Sequence, residues 1–192
     1  MARSKTRKKA ADRDETQVRG AKPAPRADAL KLSEEALREA ALRYLDRQDG
    51  SVEQVRRSLR RRIARFSDES TQAEAHLAAE RVLARLEAAK LLDDARFALG
   101  FAQGQRRRGG STLYVRQKLV ARGLGQLHID AALEATNNDQ EHNEEASAAI
   151  YVRKRRLTER YNLDDPAQRQ KALAALARRG FSFEIARRVL KL

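Results

Sequence analysis

Cysteine is absent from the chain. No disulfide, thiolate nucleophile or cysteine-ligated metal can form, so the sequence tolerates a reducing compartment. Tryptophan is absent too, aromatic residues make up 5% and there are three prolines. So few large flat side chains argue against a deep two-sheet core and for helices packed through Leu, Ala and Val. No apolar run approaches the roughly 20 residues that span a bilayer. The basic start, Met1 to Lys9, is followed by no apolar segment of the kind that makes a secretory signal. The expectation is a cytoplasmic protein without membrane association. No stretch alternates apolar and polar residues with β-branched enrichment, so no strand is predicted.

Recognisable catalytic patterns are missing as well. There is no Gly-x-x-x-x-Gly-Lys-Ser/Thr loop for a nucleotide phosphate. His76, His128 and His142 lie in separate segments without metal-site spacing. Asp93-Asp94 and Asp164-Asp165 fall where helices should start, and N-capping explains them better than metal or acid/base work. The chain is read as a non-enzyme with no cofactor, metal or catalytic residue.

What the sequence does have is positive charge. Its net charge is +14, of which residues 1–32 contribute +6 and the remainder +8. The folded part is therefore basic in its own right, which points to a polyanionic partner, nucleic acid or a nucleoprotein. The plainer reading is an arginine-rich composition acting only on solubility and encounter.

Residues 1–32 lack helical periodicity and contain Pro23 and Pro25. They are predicted to be a disordered basic tail, either an arm for nucleic acid or an extension without function. From Ser33 the pattern is helical. Ser33 N-caps a helix with Leu37, Ala40, Ala41, Tyr44 and Leu45 on one face. Gly50 breaks it and Ser51 caps the next. The same grammar recurs, with breaks at Gly109-Gly110, Gly123–Gly125 and Gly180, and with Pro166 opening a helix after Asp164-Asp165. The simplest parse is all-α: nine helices in three tandem three-helix repeats over 33–92, 93–137 and 138–192, elongated and curved.

Three capped helices align on their serines: Ser51 with Arg56 and Leu59, Ser111 with Arg116 and Leu119, Ser182 with Arg187 and Leu190. The spacing predicts three equivalent helix-turn-helix corners in which Leu59, Leu119 and Leu190 are buried and the arginines occupy another face.

Three segments, 91–98 (Leu-Leu-Asp-Asp-Ala-Arg-Phe-Ala), 106–124 (Arg-Arg-Arg-Gly-Gly-Ser-Thr-Leu-Tyr-Val to Gly-Leu) and 176–190 (Leu-Ala-Arg-Arg-Gly-Phe-Ser-Phe to Val-Leu), resemble the RecX family in order and spacing. The likeness spans roughly 33–192. Gln54-Val55 departs from that family's usual Glu-Leu, 65–75 is longer and the tail is an extension. The resemblance implies a regulator without activity of its own. It would bind RecA, lie in the groove of the RecA filament on single-stranded DNA, and limit filament growth, ATPase, co-protease activity and strand exchange. DNA, single-stranded and also duplex, is a second expected ligand, and a monomer is expected. DNA repair, homologous recombination and the SOS response are the implied setting.

The partner surface is assigned to the motif arginines Arg56, Arg116 and Arg187 and the cations around them. These are Arg57 and Arg60; then Arg106, Arg107, Arg108, Lys118 and Arg122; then Arg153, Lys154, Arg178, Arg179 and Arg188. Guanidinium groups bind carboxylate or phosphate bidentately, so a row of them suits an acidic groove or a phosphate backbone. The competing reading is a solvated face balanced by Glu and Asp at helical spacing. The competing function is a helix-turn-helix DNA-binding protein independent of RecA. Three corners and no evident dimerisation helix count against it.

Overall fold

The computed structural model describes residues 32–66 and 69–192. Among them are ten helices and no strand: α1 Glu34–Leu45, α2 Val52–Phe66, α3 Glu69–Ala88, α4 Asp94–Arg106, α5 Thr112–Ala121, α6 Gln126–Asn137, α7 Glu144–Arg155, α8 Leu157–Arg160, α9 Pro166–Arg178 and α10 Phe183–Leu190. The helices group around three small cores, from Leu32 to Leu92, from Ala98 to Leu133 and from Ala148 to Leu190. The predicted all-helical, three-repeat architecture is the one the chain adopts, with α1–α3, α4–α6 and α7–α10 as its repeats. The tail lies outside the described residues except for Leu32, which is buried in the first core.

The helix starts follow from their side chains. Ser33, Asp93, Ser111, Asn143, Asp165 and Ser182 each accept an amide of the first turn. Ser51 and Gln54 cap each other: Gln54 N–H donates to Ser51 Oγ and Ser51 N–H to Gln54 Oε1, both at 3.2 Å. This is a reciprocal capping box, so glutamine serves where the resemblance led one to expect glutamate.

Two details differ from the expectation. Nine helices become ten because Arg156 takes a left-handed conformation, φ 50°, and ends α7 one residue before Leu157. That turn delivers Leu157 to the third core. On α10 the innermost residues are Ala186 and Leu190, with Ile185 and Val189 only partly covered.

The larger correction concerns register. Ser51 and Ser111 start the second helix of their repeats, whereas Ser182 starts the last helix of the third. The turn before α10 matches the turn before α6. Leu124 N–H donates to Leu119 O (3.3 Å) and Gly123 N–H to Val120 O (2.8 Å). Phe181 N–H donates to Leu176 O (3.2 Å) and Gly180 N–H to Ala177 O (2.8 Å). Gly123 and Gly180 both have positive φ, 78° and 91°, which only glycine adopts freely. Arg122-Gly123-Leu124 thus corresponds to Arg179-Gly180-Phe181. Leu190 is the counterpart of Leu133, and Leu176 that of Leu119. All four are buried, but Leu190 is not equivalent to Leu59 and Leu119.

The same correspondence exposes a joint that occurs twice. Between the first and second repeats, Ser51 Oγ donates to Arg122 O at 2.6 Å and Val52 N–H to Asp94 Oδ1 at 2.9 Å. Between the second and third, Ser111 Oγ donates to Arg179 O at 2.6 Å and Thr112 N–H to Glu144 Oε2 at 2.8 Å. Each joint satisfies an N-terminal amide that a helix cannot satisfy from within, using a carboxylate from the next repeat. Asp94 therefore serves its neighbour's helix, while Asp93 caps its own.

Candidate functional site

The fifteen assigned cations divide by what their side chains already do. Arg106 is fully buried. Its Nη1 donates to Gly110 O at 3.3 Å and to the Glu144 carboxylate, and its Nη2 donates to Thr112 Oγ1 at 2.7 Å and to Asn137 Oδ1. Arg106 clamps the second joint and offers nothing to a partner; its place in the assigned surface is corrected. The reason is local. α4 ends at Arg106, so its side chain turns under the Arg107–Gly110 bend while its two neighbours face out.

The motif arginines do not form one row. Arg56 is held by Glu80, with Nε–Oε1 at 2.9 Å and Nη2–Oε2 at 3.1 Å, and by Glu53 at 2.9 Å. These two carboxylates push its pKa up, and Arg56 in turn holds the Glu53 carboxyl below its ordinary value. Arg116 pairs with Asp130 at 2.7 Å and lowers that carboxyl. Arg187, on the last helix, is exposed against Phe183. Three positions that share a spacing thus have three different environments.

Several others are also engaged. Arg57 donates to Glu53 and, across the first joint, to Ala121 O at 3.1 Å. Arg122 lies over the Phe101 ring, 4.1 Å from its centre, and donates to Lys118 O. Lys118 and Arg179 flank Tyr114, at 5.4 and 3.6 Å. Arg188 donates to Glu145 at 2.8 Å, which raises its pKa. Arg60 and Arg153 are exposed and no ion pair holds them among the described residues.

The second joint draws the exposed cations together. Gly109 has φ 79°, and a side chain there would stand 3.0 Å from the Tyr151 backbone, so the Arg107–Gly110 bend lies directly on α7. Lys154 Nζ reaches Arg107 O at 3.4 Å, and Arg179 Nε reaches Gly109 O at 3.4 Å. Arg107, Arg108 and Lys154 therefore lie on or against one bend, all exposed, and Arg178 is exposed as well. Among the described residues the Arg107 side chain meets the His142 ring, 3.2 Å away, and no carboxylate. His142 is occupied by Asp139 at 2.8 Å and lowers that carboxyl. Arg155, which the sequence reading left out, joins the group over Tyr151. The run Arg153-Lys154-Arg155-Arg156 was its signal. Among the described residues no cluster of His, Asp and Glu could hold a metal ion, and no helix is long and apolar enough to cross a membrane.

Comparison with known proteins follows the same units. Residues 93–133 match the family model described as RecX, second three-helix domain, and residues 143–190 match RecX, third three-helix domain. A regulatory protein RecX from Myxococcus xanthus is 35% identical over 167 residues, covering 83% of this chain and 87% of that protein. The chain belongs to the RecX family. A RecX from Halorhodospira halophila is 34% identical over 151 residues, covering 77% of this chain and 82% of the other. A solved crystal structure of regulatory protein RecX superposes with a TM-score of 0.62 at 21% identity, covering 83% of this chain and 73% of that one, which supports the fold.

RecX membership makes a regulatory role the chain's own, since its relatives carry the name regulatory protein. It also gives the repeat correspondence a family context. The Arg122-Gly123 turn lies in the stretch that matches the second RecX domain and the Arg179-Gly180 turn in the stretch that matches the third.

Proposed function

We propose that the chain restrains the RecA recombinase: it binds the RecA filament on single-stranded DNA and opposes filament growth, and with it ATPase, co-protease activity and strand exchange. It acts in the cytoplasm as a monomer and carries out no chemistry of its own. The observation that supports this best is the exposed pair Arg107 and Lys154 at the second joint, which no carboxylate holds in an ion pair among the described residues. A rigid joint carrying exposed cations suits an acidic protein surface or a phosphate backbone.

The test is to replace Arg107 and Lys154 by Glu while keeping Arg106 and Arg108. Inhibition of DNA-dependent RecA ATPase should fall by about tenfold or more in effective concentration. If the pair touches phosphate, the variant also shows a shallower salt dependence on naked DNA, by roughly one unit per lost contact. If it touches RecA carboxylates, filament binding weakens and DNA binding does not. Unchanged inhibition removes the pair from the working surface, and a parent protein that leaves RecA untouched removes the function.

A further inference from the structure

The two joints share their hydrogen bonds and differ in what lies beside them. At the second, the Gly109 bend rests on the α7 backbone. At the first, a groove of about 810 Å³ stays open between the end of α1 and the length of α4. The difference is in the sequence. Gly100 and Gly104, the seventh and eleventh residues of α4, correspond to Ile150 and Lys154 of α7, and a side chain at either glycine would meet nothing within 4 Å. The floor is therefore bare, bordered by Phe97 and Phe101, whose rings stack with centres 6.1 Å apart.

Its cations form no ion pair among the described residues. Arg96 stands near one end of α4, within electrostatic reach of Asp93, and Arg108 just past the other; both are exposed, and neither forms an ion pair among the described residues. Arg122 covers Phe101 and otherwise donates only to a carbonyl. Of the two carboxylates in the lining, Asp93 is taken up as the α4 cap, leaving Asp49.

We propose that this groove docks an extended acidic peptide segment of a partner protein. An apolar side chain sits over Gly100 beside the two phenylalanines, and flanking carboxylates meet Arg96 and Arg108. The two arginines are twelve residues apart along the helical direction, about 18 Å, which an extended chain covers in about five residues. The glycine floor lets a backbone approach closely. A nucleic-acid strand fits less well. Arg122 already covers one face of Phe101, and Asp49 would oppose a phosphodiester while accepting a peptide N–H. The proposal extends the regulatory reading to a second contact surface, and its test is separate from the RecA assay.

The probe is a panel of fluorescein-labelled peptides of about eight residues, each with two carboxylates five positions apart around Leu, Ile or Phe. Each is paired with a control carrying Gln in place of the acids, and binding to the full chain is read by fluorescence anisotropy. Acidic members should bind about tenfold or more tighter than their controls. The double variant Gly100→Leu/Gly104→Leu fills the groove at solvent-open helical sites, so it should keep its helicity, melt no lower than the parent and lose about tenfold or more in binding. Arg96→Glu/Arg108→Glu should lose the acidic preference. An oligothymidylate should not displace the peptide. No acidic preference in the parent, unchanged binding in the glycine variant, or ready displacement by the oligonucleotide would each overturn the proposal. RecA ATPase inhibition measured on the same glycine variant reports separately on the function proposed above.

Discussion

The hydroxyl of Ser51 donates to the carbonyl of Arg122 at 2.6 Å while accepting the amide of Gln54 at 3.2 Å. Ser111 does the same with Arg179 and Tyr114. One side chain therefore starts a helix and holds the next repeat. Ser182 only starts a helix. Ser111→Ala should cost roughly 1.5–3 kcal/mol, a cap together with a buried acceptor left unpaired. Ser182→Ala should cost about 1 kcal/mol. Urea unfolding of the two variants checks this, and equal costs would show that the joint hydrogen bond contributes nothing.

Arg106 is the second case in which a joint is held from inside. Arg106→Met should destabilise the chain by about 3–5 kcal/mol, because it takes the guanidinium from the Glu144 carboxylate and from Asn137, leaving both with donors from Thr112 alone. Arg106→Lys should recover little, since an ammonium cannot reproduce the forked contacts to Glu144, Thr112 and Asn137. Arg107→Ala and Arg108→Ala, one and two residues on, should stay within about 0.5 kcal/mol of the parent. Denaturant titration of all four variants is the measurement. A mild Arg106→Met would mean that the second joint is set by packing alone.

Glycine substitutions should split in sign. Gly123→Ala and Gly180→Ala place a Cβ on positive-φ backbone, within 2.6 Å of Glu53 and 2.7 Å of the Ser111 hydroxyl respectively. Each should lose more than about 1 kcal/mol. Gly104→Ala, on open helical surface, should gain about 0.5–1 kcal/mol. Thermal melts of the three variants decide it, and a stabilised Gly123→Ala would contradict the turn assignment.

Acid should act through the caps. The N–H of Arg96 holds the Asp93 carboxyl below its ordinary value of 3.8, and a hydrogen bond from Gln168 and the N–H of Ala167 do so for Asp165. A carboxyl whose pKa is lower folded than unfolded contributes stability that is complete above the unfolded value. That contribution is lost as pH falls through the folded one. Unfolding free energy should therefore be flat from neutral pH to about 5 and decline below about 4. Asp93→Asn keeps a capping oxygen without the charge. It should be slightly less stable than the parent near neutral pH and converge with it in acid, giving a shallower decline, as followed by far-UV circular dichroism.

Helix starts and the three cores were legible because caps and apolar periodicity are local signals. Ser33, Ser51, Asp93, Ser111, Asp165 and Ser182 all sit where their chemistry demands. Repeat register was not legible from the serine-arginine-leucine spacing, which any capped amphipathic helix can satisfy. The marker that carries register is the Arg-Gly-apolar turn at 122–124 and 179–181. Its meaning depends on a left-handed glycine against the preceding repeat. Arg106 was misread because three adjacent arginines are alike in sequence. What buries the first of them is Glu144, 38 residues away. Arg56 and Arg116 were misgrouped for the same reason, since Glu80 and Asp130 reach them only once the helices pack.

The joint also has consequences at the outer repeats, where it is not used. In the third repeat the helix that corresponds to α2 and α5 starts about one turn earlier, at Pro166, which has no N–H, behind Asp165, whose carboxylate has no proton to give. In the first repeat the place of Asp94 and Glu144 falls to Glu34, already taken by Arg81 and Arg85. A head-to-tail contact that recurs within a molecule is a standing invitation to open-ended polymerisation between molecules. Here the helix start at one end offers no amide N–H, and the carboxylate at the other is already held by two arginines, so the amide–carboxylate bond of the joints does not carry on past the outer repeats.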